Sequence, residues 1–381
     1  MLEPTTIPLA LYVHLPWCVR KCPYCDFNSH EHDGALPEAA YVDALRADLA
    51  TEVNAIGERS VGSIFIGGGT PSLFSGSAIA RLLEALRDEL NLMADAEITL
   101  EANPGTVDAG NFSAYRAAGV NRLSIGVQSL RDAQLKALGR VHDKGDAVRA
   151  LEVARSAGFT NINLDLMHGL PADEADDALR DLAQAIALAP EHLSWYQLTL
   201  EPGTAFGRRP PPLPPHDRIA EEFERGCAML EAAGYQRYEV SAFARMGRES
   251  RHNLNYWEFG DYLGIGAGAH GKLSLPEGVR RTVRRRHPAA YMKEAGSAAA
   301  TTTELIQGPP LITEFALNAL RLKNGFTREL FTSRTGLLAT ALDAGISAGF
   351  ARGWLAECDS RLVPTPLGYR FLNDLQLLFV P

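Results

Sequence analysis

The stretch Leu9-Ala10-Leu11-Tyr12-Val13-His14-Leu15-Pro16-Trp17-Cys18-Val19-Arg20-Lys21-Cys22-Pro23-Tyr24-Cys25-Asp26-Phe27-Asn28 decides the fold. It opens on a short apolar run, Leu9–His14, that reads as a buried strand. Three cysteines, Cys18, Cys22 and Cys25, then fall on the loop that leaves it. Further strands are predicted at Ser63–Ile66, Glu97–Ala102, Arg122–Val127, Asn161–Leu166 and Leu193–Leu200. Helical periodicity fills the gaps near Pro37–Ile56, Ser77–Leu90, Asp108–Ala118, Ala147–Ala157 and Glu174–Ala187, with one more near Arg218–Ala233. Ser77, Asp108 and Asp146 stand where N-caps belong, and Gly119 and Gly158 where helices end. Strand–helix alternation with short connections predicts a parallel sheet, because parallel strands need helical crossovers. No Gly-x-Gly-x-x-Gly opens the first unit, so a partial barrel is favoured over a dinucleotide-binding sheet. Its functional end is the C-terminal end of the strands, where the cysteine loop lies.

The chain has 381 residues with 46% hydrophobic and 22% charged residues, a globular composition that excludes disorder and fibre. Its net charge is −9. An acidic surface has no general attraction for nucleic acid or an anionic membrane, so an anionic ligand needs a local cluster of cations. Five cysteines are too few, and odd in number, for a secreted disulfide scaffold. No basic leader and no membrane-length apolar run occurs, so the expected setting is cytoplasmic, without stable membrane insertion. The proline run Arg208–Pro215 reads as a stiff surface loop. A shift toward Ala, Thr, Gly and Pro at 295–310 reads as a linker to a small C-terminal domain. Cys227 and Cys358 read as inert core thiols.

Three clustered, reduced thiols require a chemical reason. A structural zinc site is closed by four ligands, normally as two separated pairs. The nearest fourth ligands here, Asp26, His14 and His30, have no usual zinc spacing. A cubane Fe–S cluster held by three cysteines leaves one iron open to a small ligand. The spacing favours Fe–S over zinc.

Cys-x3-Cys-x2-Cys after a first strand, followed by Gly67-Gly68-Gly69-Thr70-Pro71 after the second, resembles the radical S-adenosylmethionine (SAM) superfamily. The resemblance implies a [4Fe–4S] cluster on Cys18, Cys22 and Cys25, with SAM chelating the open iron. It implies an α/β fold, a partial (β/α)6 TIM-like barrel. The barrel with its cluster and SAM site is expected over residues 1–240, an extension over 241–300 and a mostly helical, winged-helix-like domain over 301–381. Leu11–Pro16, Leu100–Pro104, Ser124–Ser129 and Asn163–Pro171 resemble the coproporphyrinogen dehydrogenase branch in particular. On that resemblance Tyr12, Gly68, Gly69, Thr70, Glu101, Gln128, Arg140 and Asp165 match SAM-contacting positions. Taken singly, Glu101 and Asp165 are also strand-end caps, Arg140 a surface charge, and Tyr12 and Phe27 core aromatics.

Two departures separate the chain from the decarboxylating enzymes of that branch. Phe27 stands where they carry a fourth cysteine, and 17 residues precede Cys18 in place of their long N-terminal arm. Cys22–Asn28 instead resembles the HemW-type haem chaperones. So does Arg251-His252-Asn253-Leu254-Asn255-Tyr256-Trp257, similar to their His-Asn-x-x-Tyr-Trp motif. The resemblance implies haem binding through His252, Tyr256 and Trp257, and haem-accepting proteins as partners. Read locally, the same segment is a loop that packs its aromatics on the barrel rim with His252 hydrogen-bonded. Arg280, Arg281, Arg284, Arg285 and Arg286 are read either as porphyrin-propionate partners or as a solvated basic face. His270 is a further residue of the same mouth. Three readings follow: a haem chaperone on a radical SAM fold, an oxygen-independent coproporphyrinogen III dehydrogenase, and a zinc-stabilised barrel for another small molecule. No nucleic-acid partner is expected, and a homodimer is compatible with the sequence.

Overall fold

The computed structural model describes residues 2–32 and 34–381. Six strands, β1 (Leu9–Leu15), β2 (Val61–Gly68), β3 (Leu92–Ala102), β4 (Arg122–Gln128), β5 (Ile162–His168) and β6 (His192–Gln197), pair in parallel in that order. Helices α1 (Glu38–Ile56), α2 (Gly76–Glu89), α3 (Ala109–Ala118), α4 (Asp132–Ala137), α5 (Lys144–Ser156) and α6 (Asp177–Ala187) make the crossovers, and α7 (His216–Ala232) follows β6. The α/β alternation of parallel strands and crossover helices expected from the sequence is present.

The helix starts have local causes. Ser75 caps α2 by accepting from the Ala78 amide at 3.2 Å, two residues before the expected Ser77. Asp108 caps α3 in the same way, and Gly119 closes it at φ +109°, a conformation only glycine adopts without cost. For α5 the cap is Asp143, and Asp146 completes a reciprocal capping box in place of capping alone. The main core holds residues from both layers, such as Leu11, Val13, Leu45, Leu82, Leu123, Leu164 and Trp195.

The sheet is larger than the sequence suggested. Beyond β6 lie the short antiparallel strands β7 (Gln236–Arg237) and β8 (Ala242–Ala244), while β9 (Asp261–Ile265) pairs in parallel with the free edge of β1. From β9 the sheet continues antiparallel through β10 (His270–Leu275), β11 (Gly278–Arg284) and β12 (Thr301–Ile306). The result is an open twelve-stranded mixed sheet.

This extension corrects two expectations. Part of the supposed 295–310 linker is an edge strand. The arginine run is neither a solvated face nor a free propionate site over most of its length. Arg284 is fully buried against Asp48 at 2.7 Å and Glu52 at 2.9 Å, both on α1, and Arg280 also meets Glu52. Arg281 binds Glu314 and the Tyr262 hydroxyl, and Arg285 binds Glu294. The strand alternation was hidden because its inward positions are arginines that find carboxylates under the helix.

A second core, built around Phe315, Phe331, Ile346, Leu362 and Phe379, gathers the C-terminal helices Pro310–Ala319, Arg328–Thr335 and Asp343–Ala351. A three-stranded antiparallel sheet of Phe326–Thr327, Arg361–Pro364 and Leu355–Cys358 packs with them. Cys358 is exposed on that sheet, contrary to its reading as a core thiol. Among the described residues no helix is long and apolar enough to cross a membrane.

Candidate cofactor site

The cysteine loop is clipped to the barrel by backbone bonds that explain the glycines opposite it. The Gly69 amide donates to the Leu15 carbonyl at 2.8 Å and the Thr70 amide to the Trp17 carbonyl at 2.7 Å. A Cβ on Gly69 would stand 2.5 Å from the Trp17 oxygen, so only glycine allows the approach. Gly68 takes φ +115°, and a Cβ there would strike the His14 ring at 2.6 Å. Thr70 completes the clip by donating from Oγ1 to Cys18 Sγ at 3.5 Å.

Above the strand ends lies a cavity of ≈ 440 Å³ lined by all three cysteines. Gly68, Gly69, Thr70, Glu101, Gln128, Arg140 and Asp165 line it too. Burial pushes the Cys18 and Cys25 thiols up, and mutual repulsion between the thiolates adds to it. A cubane cluster binds each thiolate to a different iron and needs them spread around it.

The charged groups that line the cavity form no ion pair among the described residues. Arg140 donates from Nη2 to the Gly126 carbonyl at 2.8 Å and from Nη1 toward Cys22 Sγ at 3.6 Å. Its Nε is buried with no partner, and no ion pair engages it among the described residues. Glu101 accepts only the Gly68 amide, at 3.1 Å. Burial, and then the neighbouring Asp165 carboxylate, raise its pKa from 4.5 to about 8. Asp165, also raised by burial, is better satisfied, accepting from Ser124 at 3.0 Å and Asn163 at 2.8 Å. An unpaired buried cation and an unpaired buried acid in one cavity complement a zwitterionic amino-acid headgroup.

Gln128 sits at φ +68° on a bulge in the β4–β5 pairing, a strained backbone for a residue other than glycine. The bulge turns its side chain inward over Gly126, where a Cβ would meet Gln128 Nε2 at 3.0 Å and the Arg140 guanidinium at 3.4 Å. Its Oε1 accepts from the Tyr196 hydroxyl at 2.6 Å. Tyr196 lines the cavity and was missed in the sequence, as was Tyr24 between the cysteines. The signal for Tyr196 was its inward parity with Ser194 at the end of the sixth strand.

Tyr12 does not line the cavity. It lies one layer below, with its hydroxyl 3.0 Å from His14 Nδ1, while His14 Nε2 reaches the Asn28 carbonyl at 2.8 Å. Burial holds His14 near pKa 4, a neutral strut between the barrel interior and the cysteine loop. Phe27, read as a possible core aromatic, is 58% exposed at the rim.

The His252 motif is elsewhere. It forms a helix, α8 (Arg251–Trp257), rather than a loop, and the helix lies at the N-terminal end of the barrel, opposite the cavity. Glu97, in the middle of β3, and Ser63, paired with it near the start of β2, hold it: Glu97 accepts the His252 amide at 3.1 Å. His252 is buried with Nδ1 on the Ser63 hydroxyl at 3.1 Å and Nε2 on the Tyr256 hydroxyl at 3.0 Å. Burial lowers its pKa to about 3, and neither nitrogen faces outward. Trp257 is stacked under the Arg321 guanidinium at 4.3 Å. The structure therefore does not bring His252, Tyr256 and Trp257 to the cavity.

The model of the radical SAM superfamily matches residues 12–182. The chain is 50% identical over 374 residues to the haem chaperone HemW of Escherichia coli (strain K12), covering 98% of both chains. It is 45% identical to the HemW of Haemophilus influenzae (strain ATCC 51907 / DSM 11121 / KW20 / Rd), covering 99% of both. The mouse protein named radical S-adenosyl methionine domain-containing protein 1, mitochondrial, is 45% identical over 73% of this chain and 63% of its own. Among solved structures, the coproporphyrinogen III oxidase HemN of Escherichia coli superposes with a TM-score of 0.82 at 24% identity, over 99% of this chain and 91% of that one. That likeness is one of fold. The superfamily implies a [4Fe–4S] cluster and SAM. With relatives this similar along its whole length, the chain belongs to the HemW family of the radical SAM superfamily.

Proposed function

We propose that this protein is a haem chaperone that binds haem and passes it to acceptor proteins, on a radical SAM fold carrying a [4Fe–4S] cluster and SAM. The observation that carries the reading is the full-length likeness to proteins named as haem chaperones. The exposed Phe27 supports it, because an apolar ring stands at the cavity rim where the decarboxylating branch carries a fourth cysteine.

Cys18, Cys22 and Cys25 hold the cluster in this proposal, which leaves one iron open in the cavity. Arg140 pairs with the carboxylate of SAM. Glu101 and Asp165 receive its ammonium and ribose hydroxyls, and Gly68, Gly69 and Thr70 admit its backbone-like part. Gln128, fixed by Tyr196, closes the far wall, and Tyr12 acts from below through His14. When bound, the cluster and SAM supply an electron donor and a cleavable sulfonium. The chain's own part is to seat them.

The test is anaerobic reconstitution followed by two assays on the full-length protein. Haem should bind with a defined Soret band, and coproporphyrinogen supplied with SAM and a reductant should remain intact. Steady conversion of coproporphyrinogen to protoporphyrinogen would overturn the chaperone reading.

A further inference from the structure

Thr70 stands between the glycine run and Pro71, and each of its polar groups is committed. Its amide donates to the Trp17 carbonyl at 2.7 Å, and its carbonyl accepts the Leu73 amide at 3.0 Å. Pro71 keeps it out of the helical region, at φ −138° and ψ 84°, just ahead of the single short turn Pro71–Leu73. A threonine in that place ordinarily turns its hydroxyl onto an amide of the turn. Here the side chain makes no such cap. The hydroxyl donates instead to Cys18 Sγ at 3.5 Å. Both residues are buried, so bulk water does not compete for the bond. The close approach of Gly69 to the Trp17 carbonyl keeps the two segments at this spacing.

Cys22 has a donor as well. Arg140, in the connection between α4 and α5, aims Nη1 at Cys22 Sγ from 3.6 Å. Two of the three cysteine sulfurs thus receive side-chain donors from segments 52 and 118 residues further along the chain. A thiol is a weak acceptor and gives little reason to bring a buried hydroxyl and a buried guanidinium to it. A thiolate on iron is a charged acceptor, and donors to it form the stronger, charge-assisted kind of bond.

We infer that Thr70 and Arg140 set the reduction potential of the cluster, as hydrogen-bond donors to two of its sulfur ligands. Neither residue ligates iron. When one electron from an added reductant enters the cluster, negative charge grows on the thiolates. No bond breaks, and the hydroxyl proton stays on oxygen. A donor aimed at sulfur stabilises the reduced form more than the oxidised one, so each raises the potential. Thr70 contributes a dipole in a dry setting and Arg140 a full charge, which makes the second the stronger of the two.

The inference rests on the [4Fe–4S] reading, and one redox titration separates the two. Full-length protein is reconstituted anaerobically without SAM and reduced stepwise with dithionite and mediators, while electron paramagnetic resonance counts the reduced cluster. The potential is read from loaded protein alone, so partial loading does not alter it. Thr70→Val keeps the shape and loses the hydroxyl. Its one-electron equilibrium should move about tenfold toward the oxidised cluster, a potential lower by about 59 mV. Thr70→Ala should do the same, and Thr70→Ser, which keeps the hydroxyl, should hold the wild-type value. Arg140→Met should lower the potential at least as far as Thr70→Val. In deuterium-exchanged samples, electron–nuclear double resonance of the reduced cluster should lose one exchangeable proton coupling in Thr70→Val and retain it in Thr70→Ser. A wild-type potential in Thr70→Val and Thr70→Ala, or an equal drop in Thr70→Ser, would overturn the role of the hydroxyl while leaving the cluster reading standing. A wild-type potential in Arg140→Met would overturn that of the guanidinium. Failure of the wild type to assemble a [4Fe–4S] cluster would overturn both readings.

Discussion

Arg140 provides the sharpest test of the cofactor site, because a binding role and a structural role predict opposite outcomes. Its guanidinium is buried without a carboxylate partner, and its Nε bonds nothing. A group placed there for stability would be paired, since an unpaired buried charge costs several kcal/mol of desolvation. Arg140→Met keeps the aliphatic stem and removes the charge. Its only strong contact to protein is the 2.8 Å bond to the Gly126 carbonyl, worth about 1 kcal/mol net, which relief of desolvation offsets. The folding stability of the variant should therefore hold or rise. A charge-assisted bond to the carboxylate of SAM is worth about 1.5–3 kcal/mol. At about 1.4 kcal/mol per tenfold, the dissociation constant for SAM should rise roughly 10- to 150-fold. The assay is anaerobic calorimetric titration of SAM into protein of matched iron and sulfide content, beside urea unfolding of the same samples. An unchanged dissociation constant, or a variant destabilised by several kcal/mol, would refute the assignment of Arg140 to the ligand.

Glu101 carries a pH signature. Its folded pKa of about 8 lies above the ordinary 4.5, so the native state retains a proton that the unfolded state releases, and stability falls as pH rises across that window. The window sets a ceiling near 5 kcal/mol, and solvent in the cavity brings the expected effect to about 2–4 kcal/mol. Glu101→Gln should gain on the wild type by that amount from pH 5 to pH 8; parallel pH profiles in urea unfolding would contradict this. Cys18→Ala and Gly69→Ala should each lose iron and visible absorbance, the first by removing a ligand and the second by pushing the Trp17 carbonyl and its neighbour Cys18 out of place. Iron retained at wild-type stoichiometry in Cys18→Ala would exclude it as a ligand. Arg284→Ala leaves Asp48 in the interior without its cation, and Glu52 with Arg280 alone, and should cost about 3–5 kcal/mol by chemical denaturation. A loss below about 1 kcal/mol would show that water replaces the guanidinium.

Much of the site could be read along the chain because its signals are local. Cys18, Cys22 and Cys25 share one short loop, and Gly67–Thr70 follow a single strand. A parallel strand–helix repeat forces every strand's C-terminal end to one side of the sheet. Glu101, Gln128 and Asp165 therefore had to converge with the cysteine loop once the strands were recognised, and the structure lines one cavity with them.

Other features depended on contacts between segments remote in sequence. His252 and its Tyr-Trp neighbours look like a ligand motif in isolation. Their partners Ser63 and Glu97 come from two neighbouring strands more than 150 residues earlier in the sequence, and those contacts put the histidine in the interior at the opposite end of the barrel. The arginines of 280–285 read as a charged run because the acids that neutralise them lie on α1 and on later helices. Gln128 gains its inward aim from a bulge that no propensity predicts. The sequence by itself determined the βα repeat, the cysteine loop and the strand-end carboxylates, since each follows from periodicity or spacing within one segment. Only the tertiary structure decided which charges are spent on one another and which stay free, because pairing depends on what the fold brings within about 4 Å across hundreds of residues.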